Sequence, residues 1–155
     1  RVQFADLDTK AFYFGFTDVN TDTAILEGNN LVAASGTLTL SASDLCGFLL
    51  DAEATDDEDW IMVYNGGTTT GETTISSIDA NDDAVAGEFQ ILRLEIAPNG
   101  TARWYIDGVL KQTKTGAIST SVDVGLLTMV EARSNSIEYA YLDYVYVSAN
   151  RDWTV

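Results

Sequence analysis

"NGTARWYIDGVLKQT", residues 99–113, carries two turn signals around one short apolar segment. Pro98 and Asn99 suit the centre of a type I turn with Gly100 next in the left-handed region, a hairpin closed by a bulge. Asp107-Gly108 suits a two-residue type I′ turn, whose central residues both need positive φ. Together the turns predict a three-stranded meander over 90–97, 101–107 and 109–114. Leu92, Leu94 and Ile96 alternate with Arg93 and Glu95, and Ala102, Trp104 and Ile106 alternate with Arg103 and Tyr105. One dry face and one wet face are what a sheet stacked on a second sheet requires.

The same period of two runs outward along the chain. "AFYFGFTD" (11–18) sets Phe12, Phe14 and Phe16 against Tyr13, Gly15 and Thr17. Further strand candidates are "GTLTLS" (36–41), "LCGFLLD" (45–51), "DWIMVYN" (59–65), "TTTGETTIS" (68–76), "EFQILRLEIA" (88–97) and "VDVGLLTMVEAR" (122–133). Gly, Asn, Asp and Ser clusters separate them, each favouring turns for its own backbone reason. The best helical window, "SIDANDDAVAGEF" (77–89), is polar enough to hold only a turn or two. About ten to fourteen strands with almost no helix predict an all-β sandwich or barrel. We expect one domain over 1–148 and a tail over 149–155, with Trp153 packed on the body or on a neighbouring subunit. "IEYAYLDYVYVS" (137–148) is apolar on both parities. It predicts either a central strand covered on both faces or a tyrosine row open to a partner.

The chain has 155 residues, enough to bury a core without disulfide staples. Eight basic residues against twenty-four acidic ones, with no histidine, give a net charge of −16. Such a chain repels nucleic acid and anionic lipid, so neither is expected as a partner. No apolar run approaches the ~20 residues of a helical span. There is no signal-peptide pattern, and the opening Arg1 is expected of a processed product or a piece of something longer. Cys46, the one cysteine, lies in an apolar run and reads as a buried, inert thiol.

"LRLEIAPNGTARWYIDGVL" together with a strand ending "YLDYVYVS" is similar to the concanavalin A-like lectin/glucanase jelly roll, especially its laminin G-like members. "FYFGFTDVNTDT" and "CGFLLDAEATDDEDWIMVYNGGT" resemble stretches of tailed-phage virion proteins, namely capsid decorations, head fibres and related accessory modules. The resemblance covers residues 11–148 and implies a jelly roll of two antiparallel sheets. It also implies a non-enzymatic virion module, in a virion or extracellular setting, that oligomerises or binds capsid or fibre proteins. The alternative it leaves is a carbohydrate-binding module attaching a virion or secreted protein to surface polysaccharide. Because this sandwich hosts lectins, hydrolases and inert modules, it does not by itself choose among them.

Glycoside hydrolysis needs two carboxylates at a set separation. Glucanases of this fold carry an E-x-D-x-x-E string that is absent here; only Asp51-Ala52-Glu53 has the two-residue spacing. Without a histidine, a serine or cysteine nucleophile has no imidazole base. A glycan would stack on exposed aromatics flanked by amides or acids, for which Trp60, Tyr64, Asn65, Tyr13 and Tyr105 are the candidates. Asp18, Asn20 and Asp22 in "TDVNTDT" offer hard oxygen ligands for Ca²⁺, with Glu27 as a distal one, although the glycine and the terminal glutamate of an EF-hand loop are missing. The plain alternative is an acidic turn in which Asp and Asn bond their own backbone. "SIDANDDA", with Asp79, Asn81, Asp82 and Asp83, carries the same pair of readings.

Overall fold

The computed structural model describes residues 1–19, 26 and 31–149. Thirteen strands and one 3-10 turn (Ile75–Ser77) make the described chain all-β. The strands are β1 (Val2–Gln3), β2 (Lys10–Thr17), β3 (Leu31–Ala34), β4 (Thr37–Leu40), β5 (Leu45–Asp51) and β6 (Asp59–Asn65). They continue as β7 (Asp79–Asp83), β8 (Phe89–Gln90), β9 (Leu92–Ile96), β10 (Ala102–Ile106), β11 (Val109–Lys114), β12 (Gly125–Ala132) and β13 (Tyr141–Leu142). Every named pairing is antiparallel.

The central sheet runs β12-β2-β5-β6-β7. The expected meander forms the sheet β11-β10-β9, and its turns have the predicted backbone: Gly100 at φ 76°, Asp107 at 49° and Gly108 at 83°. Leu92, Ala102, Trp104 and Ile106 are buried on its dry face. The sheet β13-β1-β8 continues it across Ile91, where the expected strand 88–97 breaks in two.

Two indoles bind the layers together. Trp104 Nε1 on β10 donates to the Gly47 carbonyl of β5 at 2.7 Å, and Trp60 Nε1 on β6 donates to Gln90 Oε1 of β8 at 2.9 Å. Phe4, Phe12, Phe48 and Trp60 fill the space between with ring centroids 5.2–6.2 Å apart. That is the spacing at which edge-to-face aromatic pairs attract.

All seven residues of β5 are buried, so both faces of the central sheet are covered. Leu31, Ala33 and Leu38 of the β3–β4 hairpin, with Ile75 and Ile78, are among the buried apolar side chains available to the second face. On that face Gly15 and Gly47 stand opposite each other. A Cβ on Gly47 would lie 2.6 Å from the Phe14 carbonyl and 2.8 Å from the Tyr13 ring. The missing side chains make room for Tyr13, whose hydroxyl donates to the Phe16 carbonyl at 2.9 Å. Cys46 is sealed beside this crossing, and burial pushes its thiol pKa far up.

Two expectations fail, and a third is narrowed to one of its alternatives. "TTTGETTIS" is no strand: Glu72 accepts hydrogen bonds from the Thr73 and Thr74 amides, and only a Thr37–Thr74 bridge and the 3-10 turn form. "DANDD", inside the window read as helical, is strand β7, held on β6 with Asn81 at φ 47°. Of the two readings of 137–148, the covered central strand does not form, and among the described residues its four tyrosines stand exposed. Only Tyr141–Leu142 form a ladder, on the short strand β1, and they make the edge of that sheet.

Trp104→Phe removes one inter-layer hydrogen bond and leaves a void. It is expected to cost about 2–4 kcal/mol, read as a lower urea midpoint at unchanged slope.

Candidate functional site

The expected sugar platform is not assembled. Trp60, Tyr13 and Tyr64 are all buried, so none offers a ring face to a ligand. Strand parity separates them as well. Trp60 and Tyr64 project toward the meander, whereas Tyr13 shares the opposite face with its cross-strand partner Leu49. The Asn65 amide donates to the Ala42 carbonyl at 2.7 Å. Tyr105 lies half-buried on the wet face of the meander. The Arg93 guanidinium sits 3.9 Å from its ring centre, and its hydroxyl bonds Glu95 at 3.0 Å. These residues serve the core and its braces because the five-stranded sheet is covered on both sides, a fact that alternation within one strand does not carry.

Asp51 is likewise occupied. It is fully buried and accepts from Arg133 Nε at 3.1 Å and Nη2 at 2.7 Å, from the Ala33 amide at 3.2 Å and from the Glu53 amide at 3.1 Å. Burial alone would lower the Arg133 pKa, but the hydrogen bonds and charge of Asp51, with Glu131 and Glu53, hold it raised. The neighbouring pocket of about 440 Å³, lined in part by Glu53, Glu131, Arg133 and Asn135, therefore has a guanidinium already bound to carboxylates. Arg133→Met leaves the Asp51 charge buried with backbone donors alone. It is expected to cost about 3–5 kcal/mol, and Asp51→Asn combined with Arg133→Met is expected to cost less than Arg133→Met alone, both measured by denaturant unfolding.

Of the expected calcium ligands, Asn20, Asp22 and Glu27 lie outside the described residues, as does Trp153. Asp18 braces a loop: its carboxylate accepts from Ser43 Oγ at 2.7 Å and from the Asp44 amide at 3.2 Å. Burial and the charge of Asp18 push the Asp44 carboxyl up. A second acidic group forms where β7 meets β6. Asp56, Asp59 and Asp83 bring carboxylate oxygens within 4.8 Å of one another. Buried Asp59 accepts from the Asp82 amide at 2.9 Å, and Lys111 pairs with Asp82 at 2.6 Å.

Burial first, then hydrogen bonds with Asp79 and Asp83 and the charge of Asp79 and Asp56, raise the Asp59 pKa to about 7. The folded chain therefore holds a proton that the unfolded one, with an ordinary aspartate near ~3.9, releases. Stability falls as pH climbs between those values. The melting temperature is expected to drop across that interval, and Asp59→Asn, which keeps an oxygen for the Asp82 amide, is expected to flatten the slope and raise stability at pH ~8.

The segment after β12 exposes its tyrosines, one of the two readings its sequence allowed. Glu138 is drawn inward by Thr9 Oγ1 at 2.8 Å and Lys10 Nζ at 2.7 Å, and Ala140 packs on the core. Ile137 and Tyr139 point outward, 79% and 60% exposed, and Tyr141, Leu142, Tyr144 and Val145 are exposed beyond them. Tyr146, at 78%, is as open as Ile137. The sequence signal was the double-parity apolar pattern, which does not distinguish a covered strand from an uncovered one.

No family model matches this chain, and no curated protein matches it. None of the described helical residues forms a helix long and apolar enough to cross a membrane.

Proposed function

We propose that this chain is a non-enzymatic structural or accessory module of a virion, a capsid decoration or part of a fibre or spike, built as a concanavalin A-like jelly roll. The resemblance of the meander, of "FYFGFTDVNTDT" and of the segment after Cys46 supports that setting. One observation carries the non-catalytic reading. The aromatics and the carboxylate that a sugar cleft would display, Trp60, Tyr64, Tyr13 and Asp51, are consumed inside the sandwich. Among the described residues the surface carries dispersed acid and, over 137–147, its longest run of exposed apolar side chains, a composition suited to protein contacts more than to holding a small ligand.

The rival is a carbohydrate-binding module, and titration separates the two. We expect no saturable binding on a glycan array, no reducing sugar released from β-glucans, and retention of the labelled protein on particles stripped of it. Saturable glycan binding abolished by Tyr105→Ala would establish the rival instead.

A further inference from the structure

We infer that residues 137–147 form a self-complementary edge through which two copies of this chain pair across a two-fold axis. This goes beyond the virion reading and stands whichever assembly the module serves. β13 bonds β1 on one side only, and among the described residues no strand occupies its other side. The backbone beyond β13 is tied to the chain start: the Asp143 amide donates to the Arg1 carbonyl at 3.1 Å, and the Arg1 backbone nitrogen donates to the Tyr144 carbonyl at 3.0 Å. An open strand edge templates a further strand, and two identical edges meeting antiparallel satisfy each other residue for residue.

Charge selects a second copy as the occupant. At −16 the chain repels itself over most of its surface. Within 137–147 the only charged residues are Glu138 and Asp143. Glu138 is matched by Lys10, which it shares with Asp6, and Asp143 by Arg1 at 3.0 Å. This edge is therefore a place where two acidic copies can approach. The area is also sufficient. Aromatic side chains present ~150–250 Å² each, so the exposed share of Ile137, Tyr139, Tyr141, Tyr144, Tyr146 and Val147 amounts to several hundred Å², on the order of the ~800 Å² each partner gives a stable interface.

Three other sheet edges are blunted. β11 carries Lys111 and Lys114 and a bulge opposite Trp104–Tyr105. β7 carries Asp79, Asp82 and Asp83, and β12 is half-buried from Leu126 to Ala132. Lysines, acids and bulges are how edges avoid pairing; residues 137–147 have none outside the two neutralised acids.

Sedimentation equilibrium of the full chain tests this. The expected result is a reversible dimer whose affinity tightens as salt screens the repulsion between acidic copies. Tyr139→Lys and Tyr146→Lys, at open positions that leave the core intact, should each weaken the dimer by about tenfold or more with unchanged circular dichroism. Val109→Lys, on the exposed β11 edge, should leave it unaffected. A monomer at every concentration and salt would overturn the inference. So would an assembly weakened by salt, or one dissolved by Val109→Lys and untouched by the tyrosine changes. Loss of particle binding with the dimer intact would count against the virion reading and leave this one standing.

Discussion

Gly47 is where the layers of the molecule are drawn together. On one side its missing Cβ admits the Tyr13 ring, which lies over the Gly15–Gly47 pair; on the other its carbonyl receives the Trp104 indole. A carbonyl has two lone pairs, so it can serve a ladder and an indole at once. Any side chain at this point would push Tyr13 off the sheet and open the second face, where Leu45, Leu49, Ile61 and Val63 have no other means of leaving water. The burial of β5 and β6, and with it the retreat of Trp60 and Tyr64 into the interior, follows from this close approach.

A second constraint sits at one end of β2, β5 and β12. Lys10 stands opposite Ala132, and Ala11 opposite Asp51, so two ionic groups lie at one end of the sheet on its opposite faces. Lys10 gathers Asp6 and Glu138, while Asp51 gathers Arg133. Isolated charges this deeply buried would cost several kcal/mol each; paired and hydrogen-bonded, they act as a clasp with one geometry. The clasp takes hold of the chain at Arg133 and again at Glu138. In doing so it fixes where the following segment leaves the body and which of its residues face outward.

Much of this was written in local pattern. β5 and β6 begin and end where the alternating apolar runs do, and the meander turns have the backbone that Gly100 and Asp107-Gly108 demand. Local pattern misled where a long-range partner decided. "DANDD" has only Ala80 as an apolar side chain to recommend a strand, yet Asp59 captures the Asp82 amide and lays it along β6. "TTTGETTIS" has strand-forming threonines, yet Glu72 takes the amides a ladder would need. The sugar-platform residues illustrate the same limit. Parity says that Trp60 and Tyr64 share a face, but only the position of the opposing layer says whether that face meets solvent. The double-parity run after Ile137 likewise left open both a covered strand and an exposed tyrosine row, and the described residues supply no cover for its tyrosines.

The sealed position of Cys46 has a consequence for how the molecule ages. Its sulfur is the one site at which oxidants or electrophiles could covalently mark this polypeptide through cysteine, and it lies at the join of β2, β5 and β6, with neither a depressed pKa nor a route to the exterior. Adducts can therefore accumulate only during the rare moments when the sheets part. The thiol thus keeps a cumulative record of how often the sandwich has come open.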